Sequence, residues 1–419
     1  MKLQKNNYTL SIIMRKTMKI ALVHEMLIKL GWAEKILENW MQLFPEADIF
    51  TLIYDEKQVG KVFPREKIHP QVFQIQTQRM YSLFKKQRLC LPFMAKSIES
   101  LDLSHYDVVL VSSSGFAHGV ITKPETKTIV YYHAPARYMW DWTNEYKRDI
   151  GAQSGIKGYI LDSLFLKLRQ WDYIASKRHE VSFANSATTQ KRLQKYFRID
   201  CEILYPPIET ERFSKNLSKE NTWNILKHIS QWLFESESLT AGVSWRDMLK
   251  IFQDWNYYII ISALTEFKRI DVALRHFPKD KDTKLLIVGD GDYRKKLEEI
   301  AGENVIFLGK KFADELVSLV QNSLGLIFPW EEDFGIVPIE VMAAGKPIFA
   351  LKKWWLTETV IESVTGEFFQ DTQGKDFEEK FLLFHKSNWE WKYNPESCRK
   401  QAEKFDKKLF EKRILECIQ

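Results

Sequence analysis

The sequence predicts an α/β protein of two domains, each a parallel sheet with helices on both faces. Three observations carry that prediction. At 419 residues the chain exceeds what one ordinary hydrophobic core organises. Short, continuous apolar runs alternate with helical stretches, the pattern of strands buried on both faces. The alternation is interrupted once, after Pro206-Pro207, a pair that holds the chain extended and suits a hinge, and it restarts at Tyr257.

The elements follow in order. Residues 1–17 hold Lys2, Lys5 and the short apolar stretch Leu10–Met14 without a convincing cleavage site, so they read as an N-terminal extension and not a signal peptide. Met18–His24 is the first strand; the loop after it contains Gly31, and a helix begins near Ala33-Glu34. Asp48–Tyr54, Tyr106–Ser112 and Thr128–Tyr132 are further strands, and Val181–Ser186 and Cys201–Pro207 close a first domain over 18–213. Ligands of such sheets bind beyond the carboxyl ends of the strands, which puts Gly31, the Ser112–Gly115 loop and His133 on one rim. Residues 214–256, with four tryptophans and helical spacing at Ile225, Ile229 and Leu233, read as an insertion or linker without assigned function. A second domain over 257–393 contributes strands at Tyr257–Ser262, Lys284–Gly289, Asn304–Gly309 and Leu324–Pro329. Residues 394–419 read as one long amphipathic helix, with Ala402, Phe405, Leu409, Phe410 and Ile414 on its apolar side.

Composition narrows the class. Hydrophobic residues make up 45% and charged residues 28%, as in ordinary soluble globular proteins. The net charge of +6 permits an anionic substrate or membrane surface, and no basic stripe with regular aromatics argues for nucleic acid. Cys90, Cys201, Cys398 and Cys417 lie far apart, fitting reduced thiols in a cytoplasmic protein better than disulfides or a zinc site. No apolar run approaches the length of a membrane span.

The most informative stretch is Pro329-Trp-Glu-Glu-Asp-Phe-Gly-Ile-Val-Pro-Ile-Glu340. It follows an apolar strand, and Pro338 suits the first turn of a helix, where its missing N–H costs nothing. Glu332 then lies in the strand-to-helix loop and Glu340 one turn into the helix. The N–H groups from Phe334 through Gly335 to Ile336 suit an anion, and the two carboxylates suit hydroxyls. An acidic helix cap is the alternative. Lys268 and Arg269 follow the first strand of the second domain, where cations can neutralise a departing diphosphate; a solvated basic loop is the other reading. His133 ends a strand at the rim, so it is either structural or catalytic. Gly289-Asp-Gly-Asp292 lacks the third glycine of a dinucleotide fingerprint and reads as a turn in preference to a metal motif. Arg79–Met94 mixes basic and large apolar residues: either it lies on an anionic membrane or it packs its apolar side inward.

The string Glu332-Asp-Phe-Gly-Ile-Val-Pro-Ile-Glu340, followed by Ala-Ala-Gly-Lys-Pro347, resembles the donor-site signature of glycosyltransferase family 4, and the resemblance covers most of 18–213 and 257–370. It implies a GT-B fold: two Rossmann-like domains facing across a cleft, with a C-terminal helix returning to the first. It implies a retaining hexosyltransferase that takes a GDP- or UDP-linked sugar and needs no metal or other cofactor. By that resemblance His133 touches the donor sugar, Glu332 holds the sugar hydroxyls, Glu340 the ribose and Lys268 the diphosphate. Gly31 lies against the donor, Arg137 and Asp141 shape the acceptor pocket, and Arg269 stands in where the family carries an arginine at the position of Ala263. Val23–Lys35 looks most like the O-antigen mannosyltransferase subgroup, so mannose and a glycan or lipid-linked acceptor in polysaccharide biosynthesis are expected, at the inner face of the cell membrane.

The chain has 14 tryptophans and only 17 glycines, about 4% against a usual figure of roughly 7%. Trp32, Trp330, Trp354 and Trp355 stand where the resemblance calls for glycine. Either the donor site is remodelled, or the gene uses a code in which UGA specifies glycine. A blocked, non-enzymatic scaffold and a nucleotide-sugar epimerase on the same fold are the alternative functions.

Overall fold

The computed structural model describes residues 18–215, 256–279, 282–332, 334–353, 356–390 and 392–419, together with 217, 224, 225 and 227. Nearly all of the 214–256 segment therefore lies outside the described residues, as do Trp354 and Trp355. The chain divides into two compact units, one running to Pro207 and taking in Phe410–Gln419, the other running from Ile208 to Leu409.

The first unit is a six-stranded parallel sheet in the order β2-β1-β3-β4-β5-β6. Its strands are β1 (Ile20–His24), β2 (Asp48–Thr51), β3 (Val108–Ser113), β4 (Lys127–Tyr132), β5 (Val181–Ala184) and β6 (Glu202–Ile203). All six occur where apolar runs predict them. Every residue of β1 and β3 is buried, as expected of strands covered on both faces. Helix α1 (Trp32–Leu43) covers part of the sheet through Ile36, Leu37 and Trp40, spaced at i, i+1 and i+4 along one helical face. Phe410, Ile414, Cys417 and Ile418, near the end of the chain, bury in this unit's core, with Phe410 stacked 6.5 Å from Trp40.

The second unit is also a six-stranded parallel sheet, in the order β12-β11-β10-β7-β8-β9. It comprises β7 (Tyr257–Ile261), β8 (Lys284–Val288), β9 (Val305–Gly309), β10 (Gly325–Phe328), β11 (Ile348–Leu351) and β12 (Gly366–Phe369). The first four match the apolar runs; β11 and β12, four residues each, went unread. The tail is not one helix. It forms α2 (Pro395–Glu403) and α3 (Lys407–Ile418). Asp406 separates them: its carboxylate accepts the Lys408 N–H at 2.9 Å, and its own backbone pairs with Ile208. A side chain that caps a new helix start competes with continuing the old one.

Candidate functional site

Each sheet reverses its winding once, and polar residues gather at both reversals. In the first unit the chain goes from β1 outward to β2, then returns to place β3 on the other side of β1. Loops leaving neighbouring strands on opposite sides open a crevice at their carboxyl ends. His24 ends β1 and pairs in register with Ser112 near the end of β3. His133 lies two residues beyond Tyr131, the β4 partner of Ser112, and so shares its face. The outcome is a continuous chain of contacts. His24 Nδ1 is 2.9 Å from Ser112 Oγ, which is 2.8 Å from His133 Nε2. On the far side, His24 Nε2 faces Glu34 Oε1 at 3.6 Å.

Burial, helped by the His24 charge, pushes the His133 imidazole down to about 3, against a smaller opposing pull from Glu34. Burial raises Glu34, but hydrogen bonding and charge from His24, with the Glu34 and Gly31 N–H groups, outweigh it and leave the carboxyl below its ordinary value. Glu34 thus occupies the start of α1. A Cβ at Gly31 would lie 2.9 Å from Glu34 Oε2, so glycine leaves room for that carboxylate to fold back. Trp32, the first residue of α1, is about half exposed.

Arg137 and Asp141 come together, as an acceptor pocket would require, but within an ion network. Asp141 sits 3.7 Å from Arg137 and 3.1 Å from the buried Arg192, and the Arg137 guanidinium lies 5.7 Å over the Trp142 ring. Arg192 was not singled out in the sequence, since a lone helical arginine carries no signal.

In the second unit the reversal falls between β7 and β10. The loop after β7 brings Lys268, and the loop after β10 brings Glu332, into contact at 3.0 Å between Nζ and Oε1. The other oxygen of Glu332 accepts the Trp330 indole N–H at 3.0 Å. Trp330 is buried, its ring 3.8 Å from that of Phe328, and Lys268 lies 5.0 Å over it. Arg269, at φ 44°, turns to Asp271 at 3.4 Å and to Gln373. The next helix runs from Ile336 to Ala343 with Pro338 in its first turn. Its N-cap is Gly335, with Phe334 buried beside it and Glu340 one turn in. Gly289 and Gly291 act as a turn: a Cβ at either would collide with the backbone oxygen of Ser262 or Leu264, so they let two loops approach.

Residues 244–405, which carry Lys268, Glu332 and Glu340, match the family described as glycosyl transferases group 1. Over that stretch the sequence is similar to those of glycosyltransferases. Two uncharacterised glycosyltransferases of Methanocaldococcus jannaschii are 31% and 29% identical over 134 and 161 residues. Those matches take in 31% and 36% of this chain and 38% and 41% of the archaeal proteins, so the chain spans about two fifths of their length. An alpha-1,3/1,6-mannosyltransferase of Candida glabrata is 22% identical over 83% of this chain and 78% of its own. Among solved structures, HepE of Anabaena in complex with UDP superposes with a TM-score of 0.66 at 15% identity, over 95% of this chain and 99% of that one. WaaG, a glycosyltransferase involved in lipopolysaccharide biosynthesis, does so at 0.53 and 13% identity, over 95% and 99%. These likenesses establish the fold: the two parallel sheets are those of GT-B glycosyltransferases.

Proposed function

We propose that the protein is a retaining glycosyltransferase that moves a hexose, mannose by first preference, from a GDP- or UDP-sugar to a glycan or lipid-linked acceptor. The observation that carries the reading is the meeting of Lys268 and Glu332 at the reversal of the second sheet, beside the start of the helix Ile336–Ala343. That is a cation, a carboxylate and a row of backbone N–H groups where a parallel sheet binds its ligand. The match to group 1 glycosyl transferases over this stretch supports it. So does the acceptance of UDP and UDP-glucose by HepE, a protein of the same fold.

In this reading Lys268 and the Phe334–Ile336 N–H groups take the diphosphate, Glu340 the ribose and Glu332 the sugar hydroxyls. Cleavage of the anomeric C–O bond puts negative charge on the departing phosphate, which Lys268 offsets. The acceptor oxygen bonds to the anomeric carbon on the same face, and its proton passes to the leaving phosphate oxygen. His133, kept neutral by burial, lies against the donor sugar and steadies the cationic transition state.

The acceptor end of the reading includes an anionic membrane. Leu83, Phe84 and Leu89 are exposed, and Arg79, Lys85, Lys86 and Arg88 are exposed among them. No acidic residue occurs between Glu66 and Glu99. Apolar side chains presented to water within a purely basic stretch suit the boundary of an anionic bilayer. No helix among the described residues is long and apolar enough to cross a membrane.

Two measurements test the function. Thermal shift against UDP, GDP and their sugar conjugates is expected to show selective stabilisation by one nucleotide. NMR of the product is expected to show the anomeric configuration of the donor. Stabilisation by none of them, in a folded protein, would leave the scaffold reading standing.

A further inference from the structure

A chain of hydrogen-bonding contacts runs from Glu34 through His24 and Ser112 to His133, and what is inferred from it rests on the reading of His133 as a donor-side residue. Ser112 Oγ lies between two imidazole nitrogens, His24 Nδ1 at 2.9 Å and His133 Nε2 at 2.8 Å. A hydroxyl has a single proton to donate. If both hydrogen bonds are made, it donates to one ring, and the other ring must carry a proton on the facing nitrogen. The two histidines therefore cannot choose their proton positions independently. The far end of the chain is polarised: His24 Nε2 faces the Glu34 carboxylate at 3.6 Å, which favours a proton on Nε2.

Two arrangements satisfy these constraints. In the first, His24 is neutral with its proton on Nε2, Ser112 donates to His24 Nδ1, and His133 donates from Nε2 to Ser112, so that His133 Nδ1 is an acceptor. In the second, His24 is an imidazolium donating from Nδ1 to Ser112, Ser112 donates to His133 Nε2, and His133 Nδ1 carries a proton. They differ by one proton. A proton entering at His133 Nδ1 is matched by transfer of the Nε2 proton to Ser112 and of the serine's own proton to His24 Nδ1. None leaves, and the positive charge comes to rest on His24 beside Glu34. The route leaves His133 neutral at both ends, the form that its burial favours.

We propose that Glu34, His24 and Ser112 are positioning residues that decide which nitrogen of His133 bears the proton, and that they carry a proton taken up at His133 to His24. The groups facing His24 are Glu34 from α1, Ser112 from β3 and, through Ser112, His133 after β4. The neighbouring Glu25 is turned away, its carboxylate accepting the Phe116 and Ala117 N–H groups. Among the described residues His24 makes no second ion pair.

The experiment is NMR of the full chain labelled with 15N-histidine, followed across the pH range in which it stays folded. His24→Asn and His133→Asn assign the two rings. The expected result is that His133 exchanges its N–H from Nε2 to Nδ1 in step with proton uptake by His24. Ser112→Ala is expected to leave His133 in one tautomer while His24 still titrates. Glu34→Gln, which removes the countercharge, is expected to move the exchange to lower pH. A His133 tautomer that stays constant as His24 titrates, a His24 that takes up no proton, or an exchange that persists in Ser112→Ala would each overturn the relay. Thermal melts show which variants are folded, and Glu34→Gln keeps the test in force if Ser112→Ala is not. In turnover, Ser112→Ala is expected to lower kcat about tenfold at unchanged donor KM. If the exchange is seen but His133→Asn transfers sugar as the parent does, the relay stands and the donor-side reading of His133 falls.

Discussion

Lys268 Nζ stands 3.0 Å from Glu332 Oε1, with both side chains largely withdrawn from water. The cation assigned to the diphosphate is therefore held by the carboxylate assigned to the sugar, and a bound diphosphate must compete for it. Glu332→Gln removes that competitor and its negative charge. It is expected to bind UDP or GDP about tenfold more tightly while turnover falls. Lys268→Ala is expected to weaken binding by about ten- to a hundredfold, the range of one lost hydrogen bond to a charged group. Titration calorimetry with both variants checks this, and a Glu332→Gln protein that binds nucleotide no more tightly than the parent would contradict it.

Trp330 bears on whether the tryptophans are genuine. It is buried against Phe328 and donates to Glu332, so its removal leaves a cavity and an unfilled acceptor. Trp330→Gly is expected to lower the unfolding free energy by about 3–5 kcal/mol, the range for truncating large buried aromatics. Urea unfolding of the two proteins gives the number. Unchanged or higher stability would mean that the fold suits glycine there. Peptide masses of the native protein at 354–355 would then be expected to show glycine.

The legibility of the chain follows from where its signals lie. Ten strands stand out because a strand covered on both faces must be largely apolar: β10 is so throughout, and β1 and β3 are so up to their last one or two residues. β11 (Ile-Phe-Ala-Leu) and β12 (Gly-Glu-Phe-Phe) are too short, and β12 too mixed, to stand out. Lys268 and Glu332 were legible because motifs bracket each of them, although their mutual contact was not. The relay went unread because Ser112 is 88 residues from His24, and His24 and Glu34 carry no recognisable spacing. The register of β1 against β3 joins His24 to Ser112, and the start of α1 brings Glu34 to His24. The signal available was weaker: two strands of one sheet end in a histidine or serine and a third is followed at once by His133. The break at Asp406 escaped because apolar spacing runs on either side of it, and a cap is decided by one side chain.

Leu83 and Phe84 are 78% and 54% exposed, which removes the alternative of an apolar side packed wholly inward. Leu83→Ser with Phe84→Ser is expected to abolish flotation with vesicles containing phosphatidylglycerol, at little cost in stability because neither side chain is buried. Lys85→Glu with Lys86→Glu is expected to weaken the same binding, by about 1 kcal/mol or more for each lysine lost, and to reduce its dependence on salt. Equal flotation of parent and variants, or equal binding to neutral vesicles, would contradict a membrane contact through this stretch.

The depressed His133 has a consequence for stability that can be separated from catalysis. In the folded protein its imidazole takes up a proton only near pH 3, whereas in the unfolded chain it does so near 6.5. Between those values the unfolded state binds more protons at this position, so the stability due to it rises with pH and is lost as pH falls from 6.5 toward 3. At pH 5 the loss from this one group amounts to about 2 kcal/mol relative to pH 7 or above, an order-of-magnitude figure. His179, also pushed down to about 3 by burial and by the His118 and Lys177 charges, contributes in the same direction. Carboxylates add their own acid loss below about pH 5. The quantity to measure is therefore the difference between the parent and His133→Gln in urea unfolding at pH 5 and pH 8. Glutamine can still donate to Ser112 but cannot take up the proton, so the variant is expected to lose less stability on acidification than the parent. Equal loss in both would mean that His133 is freely protonated in the folded state, and that its neutrality is not available to the proposed transfer.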